Sequence, residues 1–292
     1  MRITLLGAGG KMGLRITNNL QKMHYHVSYV ETAERGRQML RERGIETTAA
    51  DVAIPGSRAV ILALPDNRIA QVVAQIAPLL ETGSMLVALD IAAPLTGAFP
   101  ERPDLEYFVT HPCHPSVFRG ETEREAQLDF FGGVHARQNI VCSLLQGREE
   151  SYSTGEQIAR AIYAPVEKAH RCSPEQMAIL EPVLSETVLG TCLTVVGEAV
   201  HEAVKLGVPE EAARDFVLGH LKVELGIVFK LFEGATFSDG ALKAIDEAKK
   251  TLFQPDWKKV FERDAWMRSI RQITAPPPAA AGESTPARHQ SA

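Results

Sequence analysis

Two histidines stand three residues apart in the turn His111-Pro112-Cys113-His114-Pro115, and two glutamates, Glu181 and Glu186, stand five apart beside Pro182. Imidazole and carboxylate are the side chains that hold divalent cations and move protons near neutral pH. Prolines around the histidines stiffen the turn, which could ligate a metal, act as acid and base, or bind a carboxylate; the spacing leaves the three open. Glu181 precedes a proline that would remove a helical hydrogen bond and bend the axis. Burying two carboxylates in so apolar a stretch demands a cation, a ligand or water facing them. A third candidate is His220 with Glu224, on one line with Phe216 and Val228 at intervals of four. It could reach the active site of a partner subunit or be hydrogen-bonded within a subunit contact.

A different chemistry is written at the start of the chain. Gly7-Ala8-Gly9-Gly10-Lys11-Met12-Gly13 follows at once on a β-rich run and precedes a segment of helical spacing. Gly7 permits a tight turn, Gly9 lets amides approach a pyrophosphate, and Gly13 lets helix and strand pack closely. The helix start then offers its amides and dipole to the anion, with Gly10, Lys11 and Met12 alongside. Glu31 ends the second strand about 20 residues on, where a carboxylate accepts hydrogen bonds from an adenosine ribose. This favours NAD over NADP, although Arg35 and Arg37 lie nearby. Pro65 and Asn67, in the loop after the third strand, are expected to flank the nicotinamide half.

The elements that must position these groups follow from alternation. Strands are expected at 3–6, 26–30, 59–64, 85–89, 107–110 and 140–144, with helices at 13–23, 34–43 and 67–80 between the early ones. This predicts an N-terminal Rossmann domain over residues 1–150, a doubly wound parallel sheet. Beyond Ser151 the pattern turns helical, except for a weak strand near 166–170. An all-α domain is expected over 151–274, for substrate and dimerisation. Ser173-Pro174-Glu175-Gln176 is a capping box with proline at the first helical position, and opens a helix to about residue 206 that should be buried on most sides. Helices at 210–232, 240–252 and 256–273 follow, then a Pro- and Ala-rich tail, 275–292, expected to be disordered.

Composition narrows the partners. A net charge of -5 with dispersed lysines and arginines excludes the positive field that nucleic acid or an anionic membrane needs. A small molecule is the expected ligand. Cys113, Cys142, Cys172 and Cys192 form no CxxC pair and read as reduced thiols. No leader or clean membrane span is read, so a cytoplasmic enzyme is expected.

The glycine turn, the 64–67 loop and the helical second half resemble the 6-phosphogluconate dehydrogenase and β-hydroxyacid dehydrogenase group. That group places a catalytic lysine early in the first long helix of its second domain, yet Ser173 to Gly190 contains no lysine. Segments 110–115 and 181–187 are similar to a family of bacterial NAD-dependent sugar-acid oxidoisomerases. The resemblance implies oxidation of a 2-hydroxyl coupled to a carbon shift. Ketol-acid reductoisomerases are similar in architecture, and they pair helical carboxylates four residues apart around metal. With no lysine, a divalent metal ion is the natural partner for the developing ketone. His111, His114 and Glu181 are its expected ligands, with His114 and Glu186 as acid-base groups. The partners expected are a small sugar acid and a second copy in a homodimer or larger homo-oligomer. The simpler alternatives are a metal-free hydroxy-acid dehydrogenase and an NAD-binding redox sensor.

Overall fold

A computed structural model describes residues 1–275. The expected tail lies outside them except for Ala275. The order is β1 (Arg2–Leu6), α1 (Lys11–Leu20), β2 (His26–Val30), α2 (Glu34–Arg41), α3 (Ala50–Ala53), β3 (Ala59–Leu62), α4 (Asp66–Ile76), β4 (Met85–Ala88), α5 (Ala92–Leu95), β5 (Glu106–Pro112), α6 (Arg124–Gln127), β6 (Gln138–Gln146), α7 (Glu149–Ile162) and β7 (Val166–Arg171). These strands form one sheet in the order β2-β1-β3-β4-β5-β6-β7. The chain leaves β1 toward β2 on one side and returns through β3 on the other. Such a reversal opens a crevice at the carboxyl ends of the strands.

Both faces of the sheet are covered, which is why its central strands read as unbroken apolar runs. Side chains alternate along a strand, so Ile3, Leu5, Ile61, Met85, Val87 and Phe108 join Ile16, Leu20, Ile158 and Ile162 on one face. Leu6, Val60, Leu62, Leu86 and Tyr107 meet Ile69, Val73 and Ile76 on the other. One strand departs from the parallel expectation: β6 runs antiparallel to β5, and β7 then pairs parallel to β6. The sheet therefore continues past residue 150, and the first compact unit takes in residues 1–177 and the chain from Ile270 onward. The helical part begins later than expected because α7 packs back on the sheet and β7 extends it.

The second compact unit, Ala178–Ser269, is helical. After α8 (Pro174–Ala178) comes a twelve-residue π-helical segment, Ile179–Gly190, then α9 (Thr191–Lys205), α10 (Glu210–Val228), α11 (Asp239–Leu252) and α12 (Arg263–Thr274). The capping box forms as read: Gln176 N–H donates to Ser173 Oγ at 3.2 Å, and Ser173 N–H donates to Gln176 Oε1 at 2.8 Å. Burial of the long helix does not follow. No residue of α9 is buried, and Leu193, Val195 and, in α10, Phe216 are open. By length and composition Pro174–Lys205 also passes as a membrane span, against the expectation of none. The apolar pattern says that a face needs cover, and the elements of this unit do not supply it.

Candidate active site

The glycine turn works by close approach. At Gly7, with φ at +74°, an added Cβ would stand 2.3 Å from the Ala63 carbonyl oxygen at the end of β3. At Gly9 it would stand 2.5 Å from the Gly36 backbone, and at Gly13 1.9 Å from the Gly7 oxygen. The turn is thus wedged between β1, β3 and α2, facing a cleft of ≈ 900 Å³ lined by Gly7, Gly9, Gly10, Lys11, Glu31 and Pro65 among others. Arg35, already noted near Glu31, also lines it, as do Arg68 and Gln71, which the sequence did not mark. Asn67 and Met12 are off that lining; Met12 packs against the core below the turn.

Glu31 closes one end of the cleft. Its Oε2 accepts from the Gly9 amide and its Oε1 from the Ala33 amide, both at 2.9 Å. A Cβ at Gly36 would lie 2.7 Å from the Glu31 carboxyl carbon, so Gly36 is the silent partner that admits this side chain. Nothing in the linear pattern marks Gly36, because its role exists only once α2 meets the turn. A carboxylate held at this edge can accept ribose hydroxyls and repels a 2'-phosphate. Glu31→Ala should weaken NAD binding by about 1.5–3 kcal/mol, the worth of a hydrogen bond to a charged group. Calorimetry with unchanged affinity would remove the ribose contact.

At the same sheet edge, the parallel register of β4 on β5 ends at Ala88↔Val109, and two residues beyond it Asp90 stands beside His111. The His111 Nδ1 lies 2.9 Å from the Leu89 carbonyl and 3.4 Å from Asp90 Oδ2. A carbonyl only accepts, so Nδ1 carries the proton and Nε2 is the nitrogen with the lone pair. Asp90 Oδ1 accepts from the Ala92 amide at 2.7 Å and so is fixed at the start of α5. Asp90 had escaped the sequence reading; its signal was only its place at the end of an apolar strand.

His114 is held differently. Its backbone is in the left-handed region, φ 59°, which a non-glycine residue adopts at a cost of roughly 1–3 kcal/mol. Its Nδ1 donates to the Phe131 carbonyl at 2.8 Å, and its ring centroid is 6.2 Å from that of His111. Between the two, Cys113 is exposed overall, yet neighbouring atoms desolvate its sulfur and push its thiol up, which leaves it protonated near neutral pH.

In the helical unit, Glu181 and Glu186 both fall in the π-helical segment. Hydrogen bonds there run over five residues instead of four, and Thr187 Oγ1 donates to the Pro182 carbonyl, five back, at 2.7 Å. The five-residue interval is therefore to this segment what a four-residue interval is to an α-helix. His220 has a local partner: its Nδ1 bonds the Phe216 carbonyl at 2.8 Å, and its ring stacks on Phe216 with centroids 3.9 Å apart.

Residues 119–274 match the family model for the phosphogluconate dehydrogenase (decarboxylating) C-terminal domain. The D-apionate oxidoisomerase of Cupriavidus necator is 49% identical over 94% of this chain and 99% of its own. The chain belongs to the D-apionate oxidoisomerase family. Membership makes it an NAD-dependent oxidoreductase, the class that its glycine turn and Glu31 describe. A solved structure from the same organism, a semialdehyde dehydrogenase NAD-binding protein in complex with calcium and NAD, superposes with a TM-score of 0.91 at 49% identity, covering 94% and 99% of the two chains. A ketol-acid reductoisomerase from an uncultured archaean shares the fold, with a TM-score of 0.65 at 17% identity, covering 94% of this chain and 82% of that one.

Proposed function

We propose that this chain is a cytoplasmic oxidoisomerase that converts D-apionate and NAD⁺ into 3-oxo-isoapionate, NADH and a proton. The observation that carries the reading is the Asp90–His111 pair at the carboxyl edge of the sheet, in a family whose members are named for this reaction. Asp90 and His111 supply a carboxylate and a nitrogen, donors that suit a divalent cation, and Glu181 is the further ligand expected from the sequence. Calcium in the solved relative supports the assignment. His114 is then an acid-base group rather than a ligand, with Asp90 in the place first given to it.

Bound NAD supplies the hydride acceptor, and a bound divalent cation polarises the oxygen at C2. The hydride leaves C2 as its hydroxyl proton passes to His114 Nε2, whose partner nitrogen is fixed by Phe131. Glu186 next takes the proton of the 3-hydroxyl. The bond from C3 to its hydroxymethyl group breaks while a bond from that carbon to C2 forms, which leaves the ketone at C3. Protonation of the C2 oxygen, by His114, completes the step.

The apolar surface of α9 and α10 is assigned to a second copy of this chain rather than to lipid, since Glu198, His201, Glu202 and Lys205 lie along the same helix. Light scattering should give a homodimer or a larger homo-oligomer; a monomer at micromolar concentration would reject this. The function is tested by incubating the enzyme with D-apionate and NAD and reading the product by carbon NMR. A rearranged skeleton with its ketone at C3 is the expected result, and an unrearranged 2-ketone would leave a simple dehydrogenase.

A further inference from the structure

We propose that Lys11 receives the carboxylate of the substrate, an inference that rests on the sugar-acid reading above. Lys11 opens α1, whose first turn carries no acidic residue. A cation at a helix start opposes the dipole there and calls for an anion nearby. Lys11 lines the cofactor cleft, and its Nζ stands 4.0 Å from the centroid of the Phe131 ring.

Phe131 is half-exposed but not loosely placed. It sits in a loop pinned to α1 by the Arg15–Asp129 ion pair at 3.0 Å and by Asn19, whose Nδ2 donates to the Gly133 carbonyl at 2.8 Å. Asp129 Oδ2 also accepts from the amides of Val134, His135 and Ala136 at 3.1, 2.9 and 3.2 Å. The same Phe131 holds His114, through its carbonyl and through an edge-on ring contact at 5.8 Å. One fixed aromatic residue thus separates the lysine from the acid-base histidine, and His114 in turn adjoins His111.

Charge compensation selects the lysine from its neighbours. Arg15 also lies over Phe131, at 5.3 Å, but is neutralised by Asp129, and Arg119 is paired with Glu167. Among the described residues Lys11 has no carboxylate partner, while its ammonium is steered by the ring. A sugar acid with its hydroxyls at His111 and His114 has one anionic group left to place. A charge-assisted bond to Lys11 would accept it and would set which end of the substrate meets the histidines.

The test is steady-state kinetics with D-apionate, NADH binding by fluorescence, and thermal melting, on the wild-type enzyme, Lys11→Met, Lys11→Arg and Phe131→Leu. Lys11→Met should raise KM for D-apionate about 10- to 100-fold, with kcat down less than about threefold and NADH affinity within about threefold. Its preference for D-apionate over the neutral apionamide should collapse, Lys11→Arg should restore most of it, and Phe131→Leu should fall between at an unchanged melting temperature. An unchanged KM in Lys11→Met overturns the proposal, as does a loss confined to NADH affinity, which would put the ammonium on the pyrophosphate. Wild-type turnover of D-apionate is read first: its absence defeats the functional reading and this inference with it, whereas its presence leaves the lysine alone on trial.

Discussion

Replacing His111 by Ala should lower turnover by about two to four orders of magnitude while leaving NAD affinity within about twofold. The cofactor cleft is lined by the glycine turn, Glu31 and the loop after β3, and His111 is not among its lining residues. Asp90→Asn is the cleaner companion. An asparagine oxygen can still accept from the Ala92 amide, so the start of α5 survives while the ligand charge is lost. The two losses should be non-additive, because both act on one cation. Chelation followed by dialysis should abolish turnover, and calcium, magnesium or manganese should restore it to different degrees. Undiminished turnover after verified metal removal would sink the metal assignment and leave His111 and His114 as plain acid-base groups.

Gly13→Ala is expected to be the most damaging single methyl in the cofactor domain. Its Cβ would stand 1.9 Å from the Gly7 oxygen and 2.9 Å from the Ala8 backbone. These are main-chain atoms of the turn itself, with no flexible side-chain end to move aside, so α1 must shift away from β1. Overpacking of this kind costs about 1–3 kcal/mol or more, several degrees of Tm for a protein of this size. The amides that face the pyrophosphate move with it, so NAD affinity should fall by about tenfold or more. Gly240→Ala is the control: nothing lies within 4 Å of a Cβ there, and alanine favours helix over glycine by up to about 1 kcal/mol. Equal Tm and NAD affinity in Gly13→Ala and wild type would show that the turn relaxes freely.

Local features were legible and assembled ones were not. The glycine turn, Glu31 and the Ser173–Gln176 box depend on residues within a few positions of each other or on one strand–helix–strand unit, and each forms as its spacing demands. Asp90 became visible only through the register of β4 against β5, a pairing that no single segment encodes. Gly36 was hidden for the same reason. The boundary expected at residue 150 failed because β7 carries charged, exposed positions along an edge strand, so its pattern is weak. The long helix misled on burial, since an apolar stripe does not say whose surface will cover it.

The π-helical segment also stayed hidden, because its period differs from that of an α-helix by less than one residue per turn. It can be described as an α-helix carrying extra residues, so a shortened chain is a rational experiment. Deleting Leu184 would favour ordinary helical winding and bring the two carboxylates to the four-residue interval found in reductoisomerases. The same cut would rotate everything after it about the axis by roughly 100° relative to what precedes it, which turns the exposed apolar face of α9 to a new bearing. A variant with one residue fewer would therefore be expected to keep its NAD cleft intact and to fail to form the proposed homo-oligomer.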